Sequence, residues 1–399
     1  MDTSMFRNPT MGQLVEISGF DPFRGPWEHT AFIPTPLPEA EPVLDGTTHR
    51  AVAAAGRALA SLDATARRLP NPYLLRMPSL RREAQATSAL EGTYAPLAEV
   101  LTADDEFPAT AEMAEILNYV AMASIGFDWV QQERPLTLGL LEDLQGRLMR
   151  GTPLESESGR LRTGQVVIGR REGADRDLTP IEAARFVPVP PGDQLRAGVE
   201  TLLDWIGTDH TDRIDPVVVA GMAHYQFETL HPFRDGNGRL GRYLIVLTLL
   251  RTGLLSEPTL TVSSWFEARR SDYYDALLGV STDGDWDTFL TFFAHGLAEA
   301  ASTTQRQMLA LVGVQDELRE QVRGSRLRSA HALSVVDLAV AHPSFTVRSV
   351  ERETGVSYGR ANSLVSQLVD LGVLAEVGRG PAARRFAAPE VLRVLLASA

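Results

Sequence analysis

The chain has 399 residues, 44% of them hydrophobic, and a formal net charge of −13. This length predicts two or three domains, and the acidic balance argues against a protein that binds nucleic acid over its whole surface. There is no cysteine, which excludes disulfides, thiolate catalysis and cysteine-bound zinc, and all 38 basic residues are arginine. Without lysine there is no Walker-type phosphate loop and no Schiff base, so a nucleotide site would need arginine, backbone amides and a metal.

The sequence shows no sign of export or of membrane insertion. Its first residues lack a basic start followed by an apolar run, and no apolar stretch approaches the roughly 18 residues of a membrane span. We therefore expect a cytoplasmic protein.

The N-terminal third predicts an arm followed by helices. Residues 1–45 are rich in proline and glycine and predict an irregular arm. Residues 46–135 predict an N-terminal helical region, with apolar residues at helical spacing over about 46–70, 78–103 and 109–132.

Residues 136–320 predict the main body of a mainly α-helical fold. Helical patterns over about 136–150 and 193–206 flank two short β-prone runs, 165–169 and 186–191, with a polar loop between them. We expect these runs to form a hairpin or flap, in which the prolines of the second run end the pairing.

Residues 325–399 differ from the rest of the chain. Three helical patterns precede two short extended runs, the order of elements in a winged helix-turn-helix domain. Nine arginines against six acidic residues give this segment a net charge of +3, whereas the rest of the chain carries −16. We expect a separate domain with a DNA or protein partner, and the modest charge leaves both alternatives open.

The clearest chemical signal lies between two helical patterns, 215–229 and 238–252. Gly236, Asn237 and Gly238 occupy the turn between them. Glycines at such a turn let the backbone approach a ligand closely, and the free amides and dipole of the following helix favour an anion. The turn therefore predicts an anion site.

Charged side chains around this turn extend the prediction to a metal-bound polyphosphate. Arg239 and Arg242 lie three residues apart on one helix face, where two guanidiniums beside an amide nest suit a chain of phosphates. Asp235 supplies the hard oxygen ligand that Mg²⁺ prefers, and the imidazole of His231 is suited to take a proton from a hydroxyl group. Each feature alone is usually structural, but their joint occurrence within twelve residues indicates a site.

This segment resembles the signature of the Fic family, His-x-Phe-x-Asp/Glu-Gly-Asn-Gly-Arg-x-x-Arg, and matches every fixed position from His231 to Arg242. The runs at 165–169 and 186–191 are similar to the family's flap hairpin and its proline-rich exit. The resemblance covers about 40–300 and implies a Fic-type helical core with a small β-hairpin flap. The flap residues that would dock a target segment are Val166, Val167, Ile168 and Gly169.

The resemblance implies transfer of AMP from ATP-Mg to a Ser, Thr or Tyr hydroxyl of a protein, with His231 as the base. Asp235 would hold Mg²⁺ and Arg242 would orient the γ-phosphate. One or both of two tyrosines would border the adenine. The residues that would bind ATP are Gly236, Asn237, Gly238, Arg239, Arg242, Tyr273 and Tyr274.

Upstream, Thr87, Glu91 and Gly92 resemble the family's inhibitory helix motif, Ser/Thr-x-x-x-Glu-Gly/Asn. The resemblance implies that Glu91 pairs with Arg242 and keeps it from the γ-phosphate, while Thr87 holds Glu91 in place. From the residues alone, an ordinary helix that ends at Gly92 explains the same pattern. Whether Glu91 also positions water for the removal of AMP is left open.

Two other functions are alternatives. The chain could be a DNA-binding transcriptional regulator that senses nucleotide, or a Fic enzyme that transfers another phosphate-linked group, such as phosphate or phosphocholine. Arg239 and Arg242 together favour AMP transfer because they suit a triphosphate tail. The expected partners are ATP and a hydroxyl-bearing protein, which can be the chain itself, and a homodimer is left open.

Overall fold

A computed structural model describes residues 1–21, 25–68, 73–105, 107–379 and 384–397. These residues form a mainly helical fold with three small antiparallel sheets, which confirms the predicted fold class. The helices are α1 (Gly46–Arg68), α2 (Tyr73–Leu90), α3 (Leu97–Thr102), α4 (Ala111–Gln131), α5 (Leu138–Leu148), α6 (Asp193–Gly207), α7 (Pro216–Leu230), α8 (Asn237–Arg251), α9 (Ser263–Glu267), α10 (Arg270–Asp283), α11 (Trp286–Gly324), α12 (His331–Ala341), α13 (Val347–Thr354), α14 (Tyr358–Asp370) and α15 (Pro389–Ala397). The strands are β1 (Gly12–Asp21), β2 (Gly25–Pro34), β3 (Ile168–Arg170), β4 (Ala184–Phe186), β5 (Phe345–Thr346), β6 (Ala375–Arg379) and β7 (Arg384–Ala387).

The prediction of an irregular arm over 1–45 is wrong for much of its length. β1 and β2 pair antiparallel along their whole length. Val15 and Ile17 are partly buried while their neighbours along β1 are exposed, the alternation of a strand with one covered face. The glycine and prolines that suggested an irregular chain cluster near the turn, where Gly25 has a φ of 87°, and 22–24 lie outside the described residues.

A small aromatic core joins this N-terminal hairpin to the flap. The flap is the antiparallel pair β3–β4, which ends at Phe186, two residues before Pro188. The rings of Phe6, Phe32 and Phe186 lie within 6.2 Å of one another, centroid to centroid. The amide of Phe32 donates to the carbonyl of Val187 at 2.9 Å. The N-terminal hairpin therefore supports the flap from one side.

The predicted helix over 78–103 is two helices, α2 and α3. Gly92 has a φ of 93°, which ends α2, and Pro96 precedes the first residue of α3. Because of this break, Glu91 is the first residue after α2, and its side chain reaches Arg242 of α8.

The two most buried helices, α7 and α8, form the centre of the molecule and pack against each other. Asp215 caps α7 by accepting from the amide of Val217 at 2.8 Å, and Pro216 occupies the first helical position. α4 and α2 pack on α8, and α6 and α1 pack on α7. The turn between α7 and α8 therefore lies close to the C-terminal end of α2.

The C-terminal segment contains the helices and strands that the sequence predicts. α12, α13 and α14 are followed by the hairpin β6–β7, and β5 pairs with the free edge of β7. This unit packs on α2, α3 and α11. Arg82 of α2 donates to the carbonyl of Leu395, and the hydroxyl of Ser344 donates to the carbonyl of Thr102 at 2.9 Å. Within the described ranges, no helix is both long and apolar enough to cross a membrane.

Candidate active site

His231 ends α7 in a backbone conformation that costs a residue with a Cβ about 1–3 kcal/mol. Its φ is 49° and its ψ 60°, in the left-handed region. The amide of His231 still donates to the carbonyl of Phe227 at 3.0 Å, which fixes the turn to the last turn of the helix. The strained turn places the imidazole on the wall of a cavity.

The imidazole of His231 is a neutral base at pH 7. Burial, and after it the positive charge of Arg162, lowers the pKa of His231 to about 4. Nδ1 lies 3.2 Å from the carbonyl oxygen of Glu228, which can only accept a hydrogen bond. This contact assigns the proton to Nδ1, so that Nε2 carries the lone pair and can accept a proton from a substrate.

The side chain of Asn237 closes the turn on itself. Its Oδ1 accepts from the amide of Phe233 at 2.8 Å, and its Nδ2 donates to the carbonyl of Phe233 at 2.9 Å. The ring of Phe233 is fully buried and anchors the turn in the core. Both the oxygen and the nitrogen of the Asn237 side chain form hydrogen bonds to the backbone of Phe233, so this side chain shapes the turn. The resemblance implied a contact with phosphate instead.

Replacing Asn237 by alanine is expected to lower the free energy of unfolding by about 1–3 kcal/mol, because buried backbone groups of Phe233 lose their partners. Chemical denaturation followed by circular dichroism measures the change. Asn362→Ala is the control, since among the described residues the side chain of Asn362 accepts only an exposed hydrogen bond from Arg384. An equally small loss in both variants would contradict this role of Asn237.

The first turn of α8 has the backbone geometry on which the prediction of an anion site rests. Its amides have no acceptor within the helix, and the helix dipole favours negative charge there. Gly236 has a φ of 82°, and a Cβ there would lie 3.0 Å from the side chain of Leu148. A Cβ on Gly238 would lie 2.0 Å from Oε1 of Glu91. Both positions therefore need glycine, and the carboxylate of Glu91 lies directly against the backbone of Gly238.

Arg242 is held by the end of α2. Its Nη2 donates to Oε1 of Glu91 at 2.6 Å and to the carbonyl of Thr87 at 3.0 Å, and its Nε donates to Oγ1 of Thr87 at 2.8 Å. The expected contact between Glu91 and Arg242 is therefore present. The expectation that Thr87 holds Glu91 differs from the structure, in which Thr87 holds the arginine.

This ion pair keeps both of its members charged. Burial is the largest single effect and would raise the pKa of Glu91 and lower the pKa of Arg242, but the attraction between the two, together with smaller contributions from neighbouring groups, outweighs it. The net result is a lowered pKa for Glu91 and a raised pKa for Arg242. The side chain of Arg242 is 1% exposed, so removal of Glu91 would leave a buried guanidinium that needs another anion.

Arg239 has an acidic partner that the sequence analysis missed. Its Nη1 donates to Oε1 of Glu115 in α4, and its Nη2 lies 3.8 Å from the sulfur of Met149. Glu115 also accepts from the hydroxyl of Thr93 at 3.2 Å. Glu115 belongs to no motif, and only the packing of α4 on α8 brings it to Arg239. In this structure both arginines of the motif are paired with carboxylates.

Asp235 fits the carboxylate ligand that Mg²⁺ would need. Its side chain is 45% exposed, and its Oδ1 accepts from the amide of Gly236 at 2.6 Å. Mg²⁺ keeps several waters and binds through one or two carboxylates together with substrate phosphates, so a single exposed carboxylate beside an anion site is a suitable donor. Across the described ranges, no group of three or more His, Cys, Asp or Glu could hold a metal without a substrate.

A cavity of about 450 Å³ opens between the turn and the flap. Its size falls within the range of small-molecule sites. His231, Arg242, Gly238 and Glu91 line this cavity. The flap residues Val167, Ile168 and Gly169 line it too, whereas the remaining predicted flap residue, Val166, lies outside the lining.

The structure separates the two tyrosines predicted to border the adenine. Tyr274 lines the cavity together with Leu277. Tyr273 is fully buried behind it, with its hydroxyl 2.6 Å from Nε2 of His224. Adjacent residues of a helix face different directions, so Tyr273 of α10 belongs to the core. Of the two tyrosines, Tyr274 alone lines the cavity.

Glu228 is a second carboxyl group on the cavity that the sequence analysis missed. Its side chain is 13% exposed, and its Oε1 has no hydrogen-bond partner among the described residues. Burial raises the pKa of Glu228 to about 8, so the group is mostly protonated at pH 7. A neutral Glu228 adds no negative charge beside the anion site.

Comparisons with known proteins show which families and proteins the chain resembles. The profile of the Fic/DOC family N-terminal region matches residues 49–128, and the Fic/DOC family profile matches residues 135–249. The chain is 35% identical to protein adenylyltransferase fic-1 of Caenorhabditis elegans over 138 residues, which is 35% of this chain and 23% of that protein. It is 30% identical to protein adenylyltransferase Fic of Drosophila persimilis over 167 residues, 40% of this chain and 31% of that protein.

The matched segment thus spans less than a third of these curated relatives. Among solved structures, a Fic family protein from Desulfovibrio desulfuricans G20 has a TM-score of 0.54 and 23% identity, covering 88% of this chain and 98% of that one. This likeness shows a shared fold. The two profile matches, with the complete motif from His231 to Arg242 inside the second, show that the chain contains a Fic/DOC N-terminal region at 49–128 and a Fic/DOC domain at 135–249.

Proposed function

We propose that this protein transfers AMP from ATP to a Ser, Thr or Tyr hydroxyl of a protein. The observation that carries the proposal is that His231, a neutral imidazole, lines one cavity together with Arg242 and with Gly238 of the first turn of α8. The imidazole suits a hydroxyl proton, and the helix terminus with its arginine suits phosphates. The names of the worm and fly relatives support this class of reaction.

The proposed reaction is an in-line displacement at the α-phosphorus of ATP. Nε2 of His231 accepts the proton of the target hydroxyl while the oxygen forms a bond to the α-phosphorus. The bond from the α-phosphorus to the bridging oxygen breaks, and pyrophosphate leaves. The first-turn amides of α8 and the guanidinium of Arg242 stabilise the negative charge. Mg²⁺, with Asp235 as its protein ligand, would neutralise charge on the phosphates.

The flap would hold the target segment beside His231. β3 pairs with β4 along one edge in a sheet of two strands, so its other edge offers backbone donors and acceptors to an added strand. Strand addition recognises backbone and reads side chains only through neighbouring pockets. This supports a target defined by an extended hydroxyl-bearing segment close to Ile168 and Gly169.

Glu91 would act as a brake on this reaction. Its carboxylate pairs with Arg242 and lies against Gly238, where phosphate oxygens would need to bind. A γ-phosphate and the Glu91 carboxylate would compete for the same guanidinium, so ATP would bind poorly or in an unreactive pose. We include the removal of AMP, with water positioned by Glu91, as a reverse activity of the same site.

Mass spectrometry of the self-modified protein tests which group is transferred. The Glu91→Gly variant incubated with ATP and Mg²⁺ is expected to gain the mass of one AMP per modified hydroxyl. The His231→Ala/Glu91→Gly double variant is the matched control and should gain nothing. A phosphate increment in place of AMP would contradict the proposal.

We also propose that residues 325–399 fold as a winged helix-turn-helix unit. The support is the order of α12, α13 and α14 before the antiparallel hairpin β6–β7, with β5 completing a sheet of three strands. Its packing on α2 puts this unit next to the helix that ends directly before Glu91.

A further inference from the structure

Arg162 is a buried cation on the segment that leads into the flap. The residue is 4% exposed, and its guanidinium donates to backbone carbonyls. Nε donates to His231 at 2.8 Å, Nη1 to Gly164 at 3.2 Å, and Nη2 to Val189. The amide of Arg162 also donates to the carbonyl of Pro232 at 3.0 Å.

These carbonyls belong to three separate parts of the site. Gly164 lies shortly before β3 and Val189 shortly after β4, so they mark the two ends of the flap. His231 and Pro232 lie in the turn that holds the base. One rigid planar guanidinium therefore joins both ends of the flap to the catalytic turn, and its fork of donors fixes their relative position.

The arrangement is costly for a side chain with only a packing role. No carboxylate pairs with Arg162 in the described parts of the chain, and burial lowers its pKa to about 10. A buried cation without an anion is unfavourable compared with an apolar side chain of the same size. The carbonyl of His231, in its left-handed conformation, is one of the groups that this cation stabilises.

The charge of Arg162 also acts on the imidazole. After burial, it is the next largest cause of the lowered pKa of His231. Arg242 and the side chain of Glu228 also lie near this ring. The hydrogen bond to the carbonyl of Glu228, and after it the charges of Glu91 and Asp235, act in the opposite direction and partly offset the lowering of the pKa of His231. A cation beside the turn thus opposes protonation of the base by its acidic neighbours.

We propose that Arg162 is a positioning residue that holds the base and the target-binding flap in one fixed geometry. This inference rests on the proposed function, because it assigns Arg162 to the same reaction. It predicts that loss of the guanidinium slows the chemical step without weakening ATP binding, since the cavity wall that would hold ATP does not include Arg162.

The test uses Arg162→Met and Arg162→Lys in the full-length Glu91→Gly protein. We expect kcat for self-modification to fall about 100-fold in both, the loss that a misplacement of about 1 Å causes, with the KM for ATP changed less than threefold. Lysine keeps the charge but loses the fork. The His231 ring signals in NMR should therefore titrate at higher pH in Arg162→Met and close to the parent in Arg162→Lys.

Arg160→Gln is the matched control, because Arg160 is exposed on the same segment and, in the part of the chain that the structure describes, its guanidinium hydrogen-bonds only to the carbonyl of Ser156. An unchanged kcat per folded molecule together with an unchanged His231 titration in Arg162→Met would overturn the proposal. If Arg162→Met fails to fold, Arg162→Lys decides it, and a kcat equal to the parent's overturns it. If the Glu91→Gly parent itself shows no transfer, the proposed function fails, while the NMR titration in ligand-free protein still reports on Arg162.

Discussion

His231→Ala, made in the Glu91→Gly background, is expected to lower the rate of AMP transfer by at least the 10²–10⁴-fold that a general base contributes. The imidazole is the neutral group on the cavity whose lone pair can accept the hydroxyl proton. Affinity for ATP-Mg, measured by isothermal titration calorimetry, should change little because the proposed phosphate contacts come from α8. Incorporation of AMP from ATP labelled in its α-phosphate measures the rate.

His295→Ala is the control for this prediction, since His295 is exposed on α11 and away from the cavity. Loss of AMP transfer in the His231 variant with a normal thermal unfolding temperature and normal ATP affinity would support the role of base. A His231→Ala protein that keeps the parent's rate would rule that role out.

Glu91→Gly is expected to raise self-modification by roughly 5–150-fold, the span of a typical coupling free energy of 1–3 kcal/mol between two sites. The substitution removes the carboxylate that pairs with Arg242 at 2.6 Å and frees this buried guanidinium for the γ-phosphate. Glu91 follows the last residue of α2, so glycine there should disturb the helix little. The initial rate of AMP incorporation measures the gain.

Two further variants separate the ion pair from other effects of substitution. Glu91→Gln keeps the size of the side chain but not its charge, so it should also raise the rate, by less than glycine does. Glu99→Gly changes an exposed glutamate on the neighbouring helix α3 and should leave the rate unchanged. A folded Glu91→Gly protein with the parent's rate would contradict the brake.

The sequence predicts the helical fold well because most helices carry a clear apolar face or are apolar throughout. α8 is an example, since its continuous apolar residues identify a central helix. The N-terminal hairpin was missed because proline and glycine near its turn dominate the local composition, while the alternation at Val15 and Ile17 is short. Proline and glycine mark turns as readily as irregular chain.

In the site, too, the sequence predicts residues that are close together in the chain better than contacts between distant residues. The turn from His231 to Arg242 is contiguous, so the sequence contains its whole geometry apart from the orientation of side chains. Glu115 and Arg162 are invisible in the sequence because each acts through a partner more than sixty residues away. The prediction that Tyr273 borders the adenine fails because Tyr273 is adjacent to Tyr274 in the sequence but its ring packs into the core.

Parallel reactions with ATP labelled in the α-phosphate and ATP labelled in the γ-phosphate test the central claim most directly. In the Glu91→Gly protein we predict label on the protein from the α-phosphate alone, and none from either nucleotide once His231 is also replaced by alanine. Label transferred from the γ-phosphate, or α-label that persists without His231, would contradict the account.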